Sequence, residues 1–195
     1  MSFTADAVAL GATIETSVEV SYRAIAGGTD RETLRALLQP KSGRSFTSKP
    51  VSVNVWHWYP LTAFDSYYAT EGVADYDGNQ FEMSGRTYIS SWSTYGMARS
   101  WESRYTLGRN CTEMRGTFGV TDRSADGSSA TVQVLAEGVE PIYISPELTP
   151  GVVDTEHTLL SSPYRISILG TNTSPDKVLA YPAAGDLQFL CHGLG

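Results

Sequence analysis

From residue 81 onward the chain falls into short runs of alternating polar and apolar side chains, separated by clusters of Gly, Asp, Ser and Pro, and this period of two leaves few folds open. The runs span 81–89, 100–107, 112–120, 130–136, 142–144, 164–169 and 187–191. Successive side chains on a strand point to opposite sides, so each run has one face to bury. Trp101, Ser103, Tyr105 and Leu107 share such a face, as do Met114, Phe118 and Val120, then Val132 and Val134, then Ile166 and Ile168. These sets are the expected core of a mainly β, antiparallel sandwich. Eleven Tyr, six Phe and four Trp beside 18 Gly suit half-buried pleated surfaces joined by tight turns.

The first 50 residues read differently. Residues 13–26 alternate, with Ile14, Val18, Val20, Tyr22 and Ala24 opposite Glu15, Ser17, Glu19, Ser21 and Arg23, which is the pattern of a strand with one wet face. Thr29 then stands three residues before Glu32, a capping-box spacing ahead of Leu34, Leu37 and Leu38, and the spacing predicts a helix that Pro40 stops. Residues 41–50 are rich in Ser, Lys and Gly and read as a linker. The expected organisation is a strand–helix extension over 1–50 and a sandwich over 51–195. Three leucines and one apolar strand face are too little for a separate core, so residues 1–50 are expected to pack on the sandwich or on other protein subunits.

Fourteen Lys and Arg against 21 Asp and Glu give a formal charge of −7, which opposes a phosphate backbone; nucleic acid is not an expected partner. No apolar stretch is long enough to span a membrane. Asp6, Glu15, Glu19 and Arg23 break up the first 25 residues, so no signal peptide is expected in them. There is no Gly-x-Ser-x-Gly, Walker sequence, His-Glu-x-x-His or GxGxxG, and the expectation is a protein that is not an enzyme. Glu71, Asp75, Glu82, Glu102 and Glu113 are carboxylates that a glycosidase pair would need, but solvated strand faces carry many such residues.

Several runs together resemble a known family. Gly85-Arg86-Thr87-Tyr88, then residues 100–109 (SWESRYTLGR), then 114–122 (MRGTFGVTD), resemble in order and spacing the NPCBM/NEW2 domain, whose strands carry Gly-x-x-Tyr, Tyr-x-Leu-Gly and Gly-Val-x-Asp. Residues 132–137, 142–144 and 164–169 resemble its later strands, so the likeness runs over about residues 60–192. The resemblance implies a jelly-roll sandwich of the galactose-binding type with a carbohydrate-binding role and no catalysis. Cys111 and the amino-terminal extension depart from the family pattern. In a jelly roll the last strand can lie beside an earlier one, which makes Cys111 and Cys191 a candidate disulfide closing an 80-residue loop.

A sugar site needs an aromatic face and flanking polar groups. Trp92 and Tyr95 lie off any clear period in a Ser, Thr and Gly-rich stretch and read equally as loop packing or ligand contacts; Arg99 and Trp58 complete the candidate ligand-binding set. Trp101 reads as core, and Trp56 and Tyr59 as a buried plug or a partner contact. Asp122, Asp126 and Ser128 share one turn and are the candidate calcium ligands, with ordinary turn chemistry as the alternative and no other cofactor expected. His57, His157 and His192 show no ligand spacing. Two functions follow: a non-catalytic module recognising surface carbohydrate, or a structural or decoration component of a virion (phage) or other surface assembly. Either places the protein outside the cell or on a virion surface.

Overall fold

A computed structural model describes residues 31–35, 37–38 and 45–194. The chain divides into two compact units, residues 1–55 and 56–195. In the first, β1 (Arg31–Leu34), β2 (Leu37–Leu38), β3 (Phe46–Thr47) and β4 (Val51–Asn54) form two antiparallel pairs, β1 with β4 and β2 with β3. The strand expected over 13–26 lies outside the described residues. The helix expected from Thr29 is corrected: Arg31–Leu34 runs extended, with Leu34 opposite Val51 and Glu32 opposite Val53. A three-turn helix without a packing partner is marginal. The β-branched Val51 and Val53 supply a ladder that satisfies the same backbone groups.

The second unit contains β5 (His57–Pro60), a 3-10 turn at Leu61–Ala63, β6 (Ser66–Ala69), β7 (Val73–Ala74), β8 (Gln80–Met83), β9 (Arg86–Ile89), β10 (Trp92–Thr94), β11 (Ser100–Thr106) and β12 (Cys111–Val120). It continues with β13 (Ala130–Ala136), β14 (Glu140–Ile144), β15 (Val153–Leu159), β16 (Arg165–Asn172) and β17 (Pro182–Cys191). One sheet runs β15-β12-β17-β10-β7, and the carboxyl-terminal half of β17 also pairs with β5. The other runs β14-β13-β16-β11-β6. Every pairing is antiparallel, and the two sheets form a β-sandwich.

The expected inward faces are all buried: Trp101, Ser103, Tyr105, Leu107, Met114, Phe118, Val120, Val132, Val134, Ile166 and Ile168. The apolar members join one cluster with Trp92, Phe189 and Leu187. Burial favours pairing of polar groups, and several that enter this interior are paired, whereas among the described residues the buried Thr121 and Ser128 hydroxyls have no hydrogen-bond partner. Trp92 Nε1–H donates to Ser103 Oγ at 2.8 Å. The Tyr105 hydroxyl lies 2.9 Å from the same oxygen and donates to Asp75 Oδ2 at 2.6 Å. Buried Asn79 uses its amide to donate to the Ala74 carbonyl at 3.0 Å and the Ser91 carbonyl at 2.8 Å, fastening the β7–β8 loop to the start of β10.

A smaller hairpin, β8–β9, turns at Ser84 and Gly85, both at positive φ (53° and 71°). Two positive φ values in a row make the type I′ geometry that matches strand twist. Its apolar residues Phe81, Met83 and Tyr88 gather with Ala183 of β17 in a second cluster. Cys111 and Cys191 face each other across β12 and β17 and are joined in a disulfide. The bridge ties the end of β17, the central strand of its sheet, to the start of β12.

Two outcomes follow from this packing. The Cys111→Ser, Cys191→Ser double variant should lose about 2–4 kcal/mol of unfolding free energy in urea titration, because an 80-residue loop is no longer closed in the unfolded chain; an unchanged midpoint contradicts this. Burial, reinforced by Asp75, raises the Tyr105 phenol well above its ordinary value. A raised folded-state value means full stability below the unfolded phenol range and progressive loss above about pH 10. Tyr105→Phe should flatten that alkaline loss in a thermal-melting series against pH.

Candidate functional site

The residues singled out in the sequence divide between the interior and two separate parts of the surface. Trp92 is corrected from a ligand contact to a core residue: it is 0% exposed, and its only donor is held by Ser103. The Ser and Thr residues around it hid the pattern. Ser93 and Thr94 are themselves buried, with the Thr94 hydroxyl donating to the Pro182 carbonyl at 3.0 Å, so this strand is inward on both faces.

Tyr95, the next residue after β10, is 50% exposed. It lines a cleft of about 240 Å³ with Glu71, Gly72, Gly96, Met97 and Ala98, where the β6–β7 and β10–β11 connections meet. The backbone of the cleft is fixed from below. The Tyr95 N–H donates to the Gly72 carbonyl at 2.7 Å, and the buried Trp101 indole donates to the Tyr95 carbonyl at 3.0 Å. Gly72 sits at φ +89°, and a Cβ there would stand 2.4 Å from the Tyr95 carbonyl oxygen and 2.7 Å from Trp101 Nε1. Only glycine allows the two connections to approach this closely. Trp101 thus packs as core and also positions the exposed tyrosine.

Arg99 stands at the same end of the sandwich, and its guanidinium is largely used. It donates to the Ser174 carbonyl and to the Asn172 carbonyl, and pairs with Asp176 at 3.4 Å. The β16–β17 loop is thereby held beside the start of β11, and the Asn172 N–H in turn donates to the Arg99 carbonyl at 2.9 Å. Arg99 is a positioning residue for this end.

Trp58 lies elsewhere. It pairs with Leu190 on the outward face of the β5–β17 ladder, with the Arg115 guanidinium 4.0 Å above its ring and His157 edge-on at 5.7 Å. Arg115 also donates twice to Gln188 Oε1, at 2.9 and 2.6 Å, and His157 is 2.7 Å from Glu113 Oε2. Arg115, Thr117, Thr155, His157, Asp186 and Gln188 line an open polar groove of about 480 Å³ across this face. Trp58 and Tyr95 are therefore not brought into one site. Trp56 meets His192 edge-on at 4.9 Å, and Tyr59 turns inward against Phe64.

Of the candidate calcium ligands, Asp122 has another duty. Asp122 accepts the Ser84 N–H on Oδ1 at 2.7 Å and the Gly85 N–H on Oδ2 at 2.8 Å, so both oxygens cap the β8–β9 turn. Asp126 is exposed in the turn before Gly127. Among the described residues no three His, Cys, Asp or Glu side chains gather to hold a metal ion. The carboxylates considered for catalysis are likewise distributed: Asp75 accepts from Tyr105, Glu102 from Arg104, and Glu113 contacts His157, while Glu71 alone reaches the Tyr95 cleft.

No family model matches the chain, and no curated protein matches it significantly. Solved structures do share its fold. The CBM51 module from Clostridium perfringens GH95, solved in complex with methyl-galactose, is similar with a TM-score of 0.54 at 14% identity, over 68% of this chain and 99% of that one. The tandem CBM51 modules of Sp3GH98, the family 98 glycoside hydrolase from Streptococcus pneumoniae SP3-BS71, match with a TM-score of 0.55 at 14% identity over 69% of this chain. The M60 catalytic domain with CBM51-1 and CBM51-2 domains from Clostridium perfringens ZmpB matches with a TM-score of 0.55 at 16% identity over 85% of this chain. This chain spans 47% of the tandem-module structure and 18% of the ZmpB structure. The antiparallel β-sandwich of these modules is thus the fold of this chain.

The division between core and surface aromatics is measurable. Trp92→Ala should cost about 3–5 kcal/mol in chemical denaturation, as expected for a large buried side chain. Tyr95→Ala should stay within about 0.5 kcal/mol of the parent. Equal losses at the two positions would contradict the assignment.

Proposed function

We propose that the sandwich is a non-catalytic carbohydrate-binding module and that its ligand cleft is the one under Tyr95. The observation that carries this reading is a half-exposed aromatic ring over a small cleft whose backbone is locked by a buried indole. A sugar ring presents an apolar face to an aromatic plate and its hydroxyls to polar groups at the rim, here Glu71. Preorganisation matters because a cleft that need not order itself retains more of its contact energy. The fold supports the reading too, since one of its neighbours was solved with methyl-galactose bound. The Cys111–Cys191 bridge fits an extracellular setting, where disulfides persist.

The test is a glycan array probed with the parent chain and with Tyr95→Ala. The expected outcome is selective binding by the parent and loss of most of it in the variant, with thermal melting unchanged. Full retention in Tyr95→Ala would place the site elsewhere. Glu71→Gln should weaken binding by roughly tenfold if the carboxylate accepts from sugar hydroxyls, the usual scale for a charge-assisted hydrogen bond.

A further inference from the structure

The outward face of the second sheet carries an aromatic strip that the Tyr95 cleft does not use. Strand β6 lies at the sheet's edge beside β11, and the pairing slips by one residue: Tyr68 stands opposite Arg104, but Ser66 stands opposite Tyr105. Tyr67 is the extra residue of this bulge. A regular strand would send Tyr67 and Tyr68 to opposite faces, and a bulge re-aims one of them. Tyr67 and Tyr68 are 50% and 43% exposed, and each stacks with an arginine of the same outward face. The Arg104 guanidinium is 4.7 Å from the Tyr68 ring centre. Arg165 is 5.1 Å from that of Tyr67 and 5.5 Å from that of Tyr164, itself 43% exposed. Arg104 and Arg165 share a face because the intervening residues Tyr105 and Ile166 are both buried partners on the inner side.

The charges on this strip are unequal. Arg104 is satisfied by Glu102, at 2.6 Å from Nε and 3.1 Å from Nη2. Among the described residues no carboxylate lies within ion-pair distance of Arg165, whose guanidinium lies over the two tyrosine rings. Stacking engages the faces of a guanidinium and leaves its N–H edge available for a planar acid. Three exposed rings beside a preoriented cation match a chain of sugars bearing carboxylates: sugar rings stack on tyrosines, and a carboxylate takes the bidentate edge of arginine. A protein of net charge −7 has little general attraction for acidic polymers, so such binding would have to come from local geometry.

We propose that Tyr67, Tyr68, Tyr164 and Arg165 form a second binding surface, for a uronate-containing polysaccharide chain. The proposal rests on the carbohydrate-binding reading for its ligand class but not on the Tyr95 cleft for its site. The experiment is affinity electrophoresis and titration calorimetry with oligogalacturonate, with neutral galactan as the control, on the parent and on Tyr95→Ala, Arg165→Gln, Arg165→Lys and Tyr67→Ala/Tyr164→Ala chains whose melting is unchanged. Oligogalacturonate should bind the parent and Tyr95→Ala alike. Its affinity should fall about tenfold or more in Arg165→Gln and in the tyrosine double variant, and less in Arg165→Lys, which keeps charge but not the fork. Rising salt should weaken the parent and leave Arg165→Gln nearly unaffected. Failure of oligogalacturonate to bind the parent, or binding that survives Arg165→Gln and the double variant, overturns this proposal. Galactan binding lost in Tyr95→Ala alone would then leave the cleft assignment standing, whereas loss of both ligands in the parent would sink both readings.

Discussion

A chain of buried polar contacts crosses the sandwich and fixes how its two sheets meet. It begins at the Trp92 indole in one sheet, passes through Ser103 in the other, and reaches Asp75 through the Tyr105 hydroxyl. Two of its members, Trp92 and Tyr105, are among the largest fully buried side chains. An apolar core tolerates sliding between layers, because any similar surface serves. A buried donor left without its acceptor costs about 1–3 kcal/mol, so this relay penalises any other alignment. The β7 and β10–β11 segments that carry the Tyr95 cleft hang directly from it.

That arrangement explains why an exposed tyrosine can be held rigidly. Tyr95 follows β10 immediately, and its carbonyl is gripped by Trp101, two residues before Ser103 on β11. The Tyr95 ring is thus one residue from the interior on one side and one hydrogen bond from it on the other. Disulfide and cleft serve different ends of the fold. Cys111–Cys191 secures the terminal strand β17, and Arg99 secures the β16–β17 loop beside β11.

The sequence made the inward faces legible wherever one side of a strand was wet. Trp101, Tyr105, Met114, Phe118, Val132 and Ile166 announced themselves by period two. Trp92 did not, because Ser93 and Thr94 are buried as well and the alternation that marks a half-exposed strand is missing. The helix expected at residues 29–38 failed for a related reason: leucines three and four apart do not exclude short strands when another segment supplies the ladder. Tyr95 was visible as a candidate and Glu71 as one of several carboxylates, but their meeting beside Gly72 was not, since nothing local links residues more than twenty positions apart. The paired display of Tyr67 and Tyr68 depends on a bulge, which leaves no signature in composition or period.

The central claim is that the cleft under Tyr95 receives a sugar. The most direct measurement is a chemical-shift titration of the ¹⁵N-labelled chain with a panel of monosaccharide glycosides, methyl-galactoside among them. The account predicts that a binding glycoside moves the amides of Glu71, Gly72 and residues 95–99 together, with the Trp101 indole signal, and leaves the disulfide end unmoved. Shifts confined to the Trp58–Arg115 face, or no saturable shifts with any glycoside in the panel, would contradict it.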